Sequence, residues 1–550
     1  MNKYKKLLSN SIIFALGNLT VKAAQFFILP LLTKYLLENQ YGITENTVVT
    51  LQDLIMPVLT LGLAEALFRF SVDKRNTPQD IITNSLSVVL MGVAVFIVGD
   101  LVFYFIMRGQ GSLYGEAFML LLIPLFAFKC VKNLLAEFTR GTGKTVIYAL
   151  SSIIESVVMF LLAYILIVFA NLGIYGYIIS LIAAPVTGII FLSVTVNPLK
   201  YFKVSCFDKF KLKIMLKYSV PNVFNNISWW IVQTSSKYIM VYLSVMAIAG
   251  ISGNQELYDE AWAISGVYTA ASKLPSLINV VSSIFLQAWS LSSAQEKESK
   301  DHNEFYSKVF KYYAPVILFA TACLMLVLPY ISKLLLKGDY YAGWVYSPLL
   351  IMGAVAGCFS AFFGAFFGVY YKTVYAMTTT LIGAGINLIL CLVFIPLVAK
   401  YAGIEYVVYV AMIAFFLSYN AIFISRILFS RKFVKLNINW IKFSILYILD
   451  IIVAVIYAIN IDLKWVCATA VIIIMICANI KEIKDIFKIA VRIIKKKSGK
   501  KQEAVTVGVD SDVDEKKEEE ISADSITDEK ENLSESEDSD SQNMKGDEEK

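Results

Sequence analysis

Histidine is almost missing from this sequence: His302 is the only one in 550 residues. Multi-histidine metal centres are excluded by that count, and no HExxH helix or nucleophile elbow is present to employ the one imidazole. Cysteine is scarce and unpaired. The seven residues, an odd number, fall in apolar segments or basic loops without C-x-x-C spacing, leaving neither a disulfide framework nor a zinc site. They read as packing residues. Charge is also sparse, at 17% against 57% hydrophobic residues, and the mean hydropathy is +0.65. A soluble multidomain protein is excluded at that composition.

What the sequence has instead is long apolar runs. A bilayer core takes about 20 apolar residues per helix. That ruler predicts an all-α polytopic membrane protein with about 14 transmembrane helices between residues 10 and 480. The second is expected at 47–68, the fourth at 113–128, the eighth at 261–292 and the twelfth at 407–429. "MNKYKK" and the apolar run behind it read as a retained first span, because Gly17, Asn18 and Lys22 interrupt a secretory pattern.

The net charge of +6 conceals two opposed parts. Residues 503–550 hold 19 acidic and 5 basic side chains, so the remainder holds 44 basic and 24 acidic ones. In that body the basic residues cluster in alternate loops, among them Arg69, Arg75, Lys144, the lysines of 200–217, Arg426 and Arg431. This positive-inside pattern predicts a cytoplasmic membrane protein with both termini in the cytoplasm.

The two halves carry a weak internal repeat. In "TLQDLIMPVLTLG" and "AASKLPSLINVVS", Asp53-Leu54 overlays Lys273-Leu274 at an offset of 220 residues. The expected organisation is an N-terminal lobe 1–197, a basic linker 198–217, a C-terminal lobe 218–436, an appended helix pair 437–480, a basic amphipathic helix 481–502 and a disordered acidic tail 503–550. Two such six-helix pseudo-repeats imply a transporter whose site lies where they meet. The basic helix suits anionic membrane lipids.

Two stretches make this more specific. "AISGVYTAASKLPSLINVVSSIFLQAWSLSSAQE", 263–296, with its Lys-Leu-Pro, Phe-Leu-Gln and Ala-Trp elements, resembles the eighth span of oligosaccharide flippases. These are the polysaccharide transporters of the multidrug/oligosaccharidyl-lipid/polysaccharide exporter superfamily. "YSVPNVFNNISWWIVQTSSKYIMVYLS" is similar to their seventh span at Pro221, although Lys237 stands where an aspartate-arginine pair is common. The resemblance covers roughly 10–480 and implies a fold like that of the multidrug exporters and the flippase MurJ. It further implies translocation of an undecaprenyl-diphosphate-linked oligosaccharide, with a polymerase or glycosyltransferases as protein partners.

Charged side chains inside a membrane normally face a bundle interior or a wet cavity. Lys22, Asp53, Lys273 and Asp450 are expected near mid-depth, and Lys237 nearer the outer face. A diphosphate leaving water needs fixed cations, for which lysine serves as a mobile point charge. Lys22 and Lys273 are the first candidates to hold it, with Lys237 third. Lys273 pairing structurally with Asp53, and Lys237 snorkelling outward, are the competing readings. Glu65 and Arg69, four apart, are expected to pair. Either Asp53, Glu65 or Glu155 couples transport to protons or sodium, or none does. Asp450 is expected to pair locally.

Other features have plainer readings. Trp229, Trp230, Trp262, Trp289 and Trp344 have two readings, stacking on sugar rings and, the favoured one, placement at membrane interfaces. "GAVAGCFSAFFGAFFG", 353–368, suits close helix packing. "RGTGKT", 140–145, lacks the first glycine of a phosphate loop, since position 138 is Phe138, and reads as a tight turn. No cofactor, metal, nucleotide or nucleic acid is expected, and no enzymatic activity. A peptidoglycan-precursor flippase and a small-molecule exporter of the same superfamily remain as alternatives.

Overall fold

The computed structural model describes residues 26–485, apart from 74, 108–115, 251–253, 371 and 483. Lys22, nearly all of the expected basic helix and the acidic tail lie outside the described residues. Among those described, every regular element is helical.

The first group is α1 (Phe26–Tyr35), α2 (Glu38–Leu59), α3 (Leu63–Val72), α4 (Pro78–Met107), α5 (Glu116–Gly141), α6 (Thr145–Phe169) and α7 (Gly173–Thr195). The second is α8 (Lys209–Ala249), α9 (Gln255–Ala271), α10 (Ser276–Gln295), α11 (His302–Leu335), α12 (Ser347–Val369), α13 (Thr373–Tyr401) and α14 (Val407–Ser430). Then come α15 (Trp440–Ala458) and α16 (Lys464–Ala478), which pack on α11, with α15 also against α12. Eleven helical stretches among the described residues are long and apolar enough to cross a membrane, or twelve with α2 and α3 taken as one bent span. α1 and α16 are shorter apolar helices. The chain is a multi-pass membrane protein.

α2 and α3 meet at 66°. Leu61 and Gly62 make that bend by adopting left-handed φ values of 52° and 64°, a conformation with little cost only for glycine. Three helices carry a π turn, at Leu51–Ile55 in α2, Ile165–Phe169 in α6 and Ile231–Ser235 in α8. Such turns re-aim the side chains on either side of them.

The halves meet most closely at the Glu38 end. Thr33 Oγ1 donates to the Leu335 carbonyl at 3.0 Å, Tyr340 donates to the Leu36 carbonyl at 3.2 Å, and the Tyr41 and Tyr340 rings pack edge to face at 5.7 Å. One turn deeper, α2 crosses α9 glycine to glycine. A Cβ on Gly42 would lie 2.9 Å from the Gly266 Cα, and one on Gly266 would run into the Glu38 carbonyl. Side chains therefore cannot be added at this crossing without parting the halves. Gly266→Leu is expected to lower the thermal unfolding temperature by several degrees, since overpacking costs about 1–3 kcal/mol. Gly99→Leu, with open space around its Cβ position, should leave unfolding unchanged in the same fluorescence-detected melt.

The expected linker is fastened rather than free. Thr83 and Lys203 exchange hydrogen bonds at 3.1 Å, Asn84 and Asp208 do so at 3.0 and 3.1 Å, and Lys211 Nζ reaches Asp80 at 2.7 Å. Asp208 then caps α8 by accepting from Phe210 N and Lys211 N. Near the same rim, Arg75 bonded to Asp73 holds that exposed carboxyl down to about 2. "RGTGKT" is the expected turn between α5 and α6, with Gly143 at φ 81° and Arg140 lying 3.8 Å over the Phe68 ring.

In α12 the small residues do what their spacing suggests. Gly353 and Gly357 receive the rings of Phe415 and Tyr419 from α14. Three of the five tryptophans are packed among helices rather than set in an interfacial belt. Trp289 is buried, stacks on Phe362 at 4.3 Å and donates to its carbonyl at 3.0 Å. Trp262 and Trp344 are buried too. A hydropathy pattern cannot distinguish an indole at the lipid surface from one packed among helices, because both need an apolar body and one hydrogen bond.

Candidate functional site

Four cavities lie around the π turn of α2, with Gln52 or Asp53 in the wall of each. The largest of the four, about 670 Å³, runs into the second half past Trp229, Gln233, Lys237 and Tyr419. A second, of about 310 Å³, lies in the first half and is walled by Glu45, Asp53, Lys129, Tyr177 and Lys273. Asp53 and Lys273 line both. Lys273 stands where the chain breaks between α9 and α10, just before Pro275, so its stem leaves the second half and its ammonium reaches the first.

Its partner there is Glu45, not Asp53. Lys273 Nζ forms an ion pair with Glu45 Oε1, and Tyr177 donates to Oε2 at 3.0 Å. The pair spans the two halves. Beside it, Asn46 donates to Ser265 at 3.2 Å and accepts from Thr269 at 3.1 Å, while Thr50 bonds Tyr238 at 2.9 Å and accepts from Trp230 at 3.1 Å. A polar seam thus continues from the glycine crossing into the cavity. Hydropathy misses Glu45 because it starts the second span at residue 47, whereas α2 starts at Glu38. Within the buried run Tyr41 to Asn46, Tyr41, Gly42, Glu45 and Asn46 meet residues of the other half rather than lipid.

Lys129 and Lys132 are loop residues by hydropathy and helix residues in the fold. α5 continues through them to Gly141 and turns both toward the cavities. Lys132 pairs with Glu155 at 2.7 Å. Glu155 is therefore neutralised locally, while Lys129 has no ion-pair partner among the described residues.

Other expectations need correction. Lys237 does not snorkel: it is 6% exposed, lines the large cavity and has no ion-pair partner among the described residues. Glu65 does not pair with Arg69; it accepts from Asn222 at 2.7 Å and Asn226 at 3.4 Å across to α8. Cross-half amides win over a neighbour on the same short helix. Asp450 does not pair locally; it is 1% exposed and neither oxygen has a hydrogen-bond partner among the described residues. Arg426, counted with the basic loops, is buried inside the second half. It donates to the Ser360 carbonyl at 3.0 Å and toward Thr379 and Thr380, and lies 5.9 Å from the Trp229 ring.

The two cavities that share Asp53 and Lys273 accordingly face three lysines, Lys129, Lys237 and Lys273, and two carboxylates, Glu45 and Asp53. Coulomb's law favours an anion that reaches the lysines over one left in hydrocarbon.

The sequence and the fold both have relatives. The model of the polysaccharide biosynthesis protein family matches residues 7–290, just over half of the chain. The chain belongs to that family. Among solved structures, the lipid II flippase MurJ, in an inward closed conformation, aligns with a TM-score of 0.56 at 14% identity, over 86% of this chain and 100% of that one. An inward-facing multidrug resistance MATE family transporter of the MOP superfamily aligns with a TM-score of 0.55 at 16% identity, over 78% of this chain and 95% of that one. Its outward-facing counterpart gives 0.53 at 15% identity, over 80% and 96%. No individual curated protein matches the sequence. At these identities the structures establish the fold, which is the all-α, MATE- and MurJ-like one. The family and the fold are those of membrane transporters and flippases, not of enzymes.

Proposed function

We propose that this member of the polysaccharide biosynthesis family moves an undecaprenyl-diphosphate-linked oligosaccharide across the cytoplasmic membrane by alternating access. The observation that carries the reading is the lysine set at the junction of the halves: Lys273 at the α9 break, with Lys237 and Lys129 free of ion-pair partners among the described residues. A diphosphate entering the chamber exchanges water and counterions for these ammonium groups. Its polyprenyl tail stays in lipid while the halves rock about the site.

The substrate also supplies the logic of the ion pair. Glu45 pairs with Lys273. An incoming phosphate competes for the same ammonium and weakens the tie between the halves. The positive-inside loops favour a cytoplasmic position for both termini. A polymerase or glycosyltransferases would be the natural protein partners, and anionic lipids the partners of the basic end. Lys22 keeps its place as a further cation candidate from the sequence.

Depletion of the protein, followed by mass spectrometry of lipid-linked saccharides and their leaflet distribution, tests this. A polysaccharide precursor is expected to accumulate on the cytoplasmic leaflet. Accumulation of peptidoglycan precursor instead would assign the other flippase activity, and accumulation of neither would refute a flippase.

A further inference from the structure

The large cavity contains more than charge. Its second-half wall is aromatic and amide-bearing: Trp229, Tyr268, Phe415 and Tyr419 stand with Gln233 and Asn279. The Trp229 and Tyr419 rings lie 5.8 Å apart and Tyr419 packs on Phe415 at 4.5 Å, so the wall is braced rather than loose. Arg426 lies 5.9 Å from the centre of the Trp229 ring.

The π turn explains how one helix supplies so much of it. Trp229, Gln233 and Lys237 are spaced four apart, and in an α-helix each such step overshoots a turn by about 40°. The wider turn at Ile231–Ser235 takes up part of that excess. All three consequently line one cavity. Gln233 is exposed to it and its amide has no hydrogen-bond partner among the described residues.

An aromatic face beside an unengaged amide, ending at a lysine, matches the chemistry of a glycosyl phosphate. The apolar face of a pyranose covers an indole, a hydroxyl takes the amide and the phosphate takes the ammonium. A polyprenyl chain would leave Gln233 and Lys237 unsatisfied. At about 670 Å³ the cavity lies in the range of about 300–1,000 Å³ typical of small-molecule sites.

We propose that the compartment walled by Trp229, Gln233 and Tyr419 is the saccharide subsite, with the diphosphate at its Lys237 and Lys273 end. This inference rests on the flippase reading and adds which part of the chamber recognises sugar.

The test uses the full chain in nanodiscs and two probes, farnesyl diphosphate and farnesyl-diphosphoryl-N-acetylglucosamine. The glycosylated probe is expected to bind about tenfold tighter. Trp229→Ala should remove that advantage without changing the bare probe, Trp229→Phe should keep most of it, and Gln233→Ala, at an exposed side chain, should lose part of it. Lys273→Gln should weaken both probes alike. If the sugar adds nothing, or if Trp229→Ala and Gln233→Ala weaken both probes equally, the subsite is overturned. If neither probe binds the unaltered protein, it is the flippase reading that fails.

Discussion

Lys273→Gln is expected to reduce polymer export to background while the protein still reaches the membrane. The substitution removes the one lysine that lines both cavities, and it strands Glu45 with Tyr177 alone. Two effects must be separated. Breaking a buried pair costs about 3–5 kcal/mol and an exposed one below about 1; here the side chains are 10% exposed for Glu45 and 31% for Lys273, so the loss falls between these limits. Glu45→Gln combined with Lys273→Gln removes both charges and should recover most of the unfolding temperature. It should not recover export, because the one ammonium that lines both cavities is gone and Lys237 and Lys129 each face only one of them. Normal export by the double variant would show that Lys273 serves only to neutralise Glu45. Glu45→Gln alone leaves Lys273 available and should retain binding of a diphosphate probe.

The architecture is largely legible in the sequence, and the site only partly. Apolar runs report lipid contact, and α4 to α8 and α11 to α15 fall where those runs are. Glu45 and Lys129 escape because hydropathy ends a span where its polar residues begin. In a two-lobed transporter those residues are the ones that face the cavity. Lys273 is legible because a lone charge within an apolar run persists only where a cavity or an opposite charge receives it. Its partner is not. A repeat offset aligns Asp53 with Lys273, yet position on equivalent helices does not set side-chain reach, and Glu45, two turns earlier on α2, takes the contact. Arg426 shows the converse: a cation near the end of a span counts with the loops by position, although three acceptors of the second half hold it inside.

The largest effect on turnover is expected from tying the halves together at the Glu38 end. Asn46 and Ser265 face each other across the seam, with Asn46 Nδ2 3.2 Å from Ser265 Oγ. Beside them the glycine crossing keeps the backbones of α2 and α9 close. Cysteines at 46 and 265, in a chain whose seven native cysteines are replaced by alanine or serine, offer a cross-link over this seam; a disulfide takes a Cα separation of about 5.5 Å. Oxidation should then abolish export, and a reductant should restore it, because the proposed alternating access requires the halves to open this seam once per cycle. Either single cysteine should be insensitive to oxidant. Undiminished export with the cross-link formed would mean that substrate passes without parting α2 from α9. The glycine crossing, the Asn46 seam and the Glu45–Lys273 pair would then be structural, and the route would have to lie along another face of the second half.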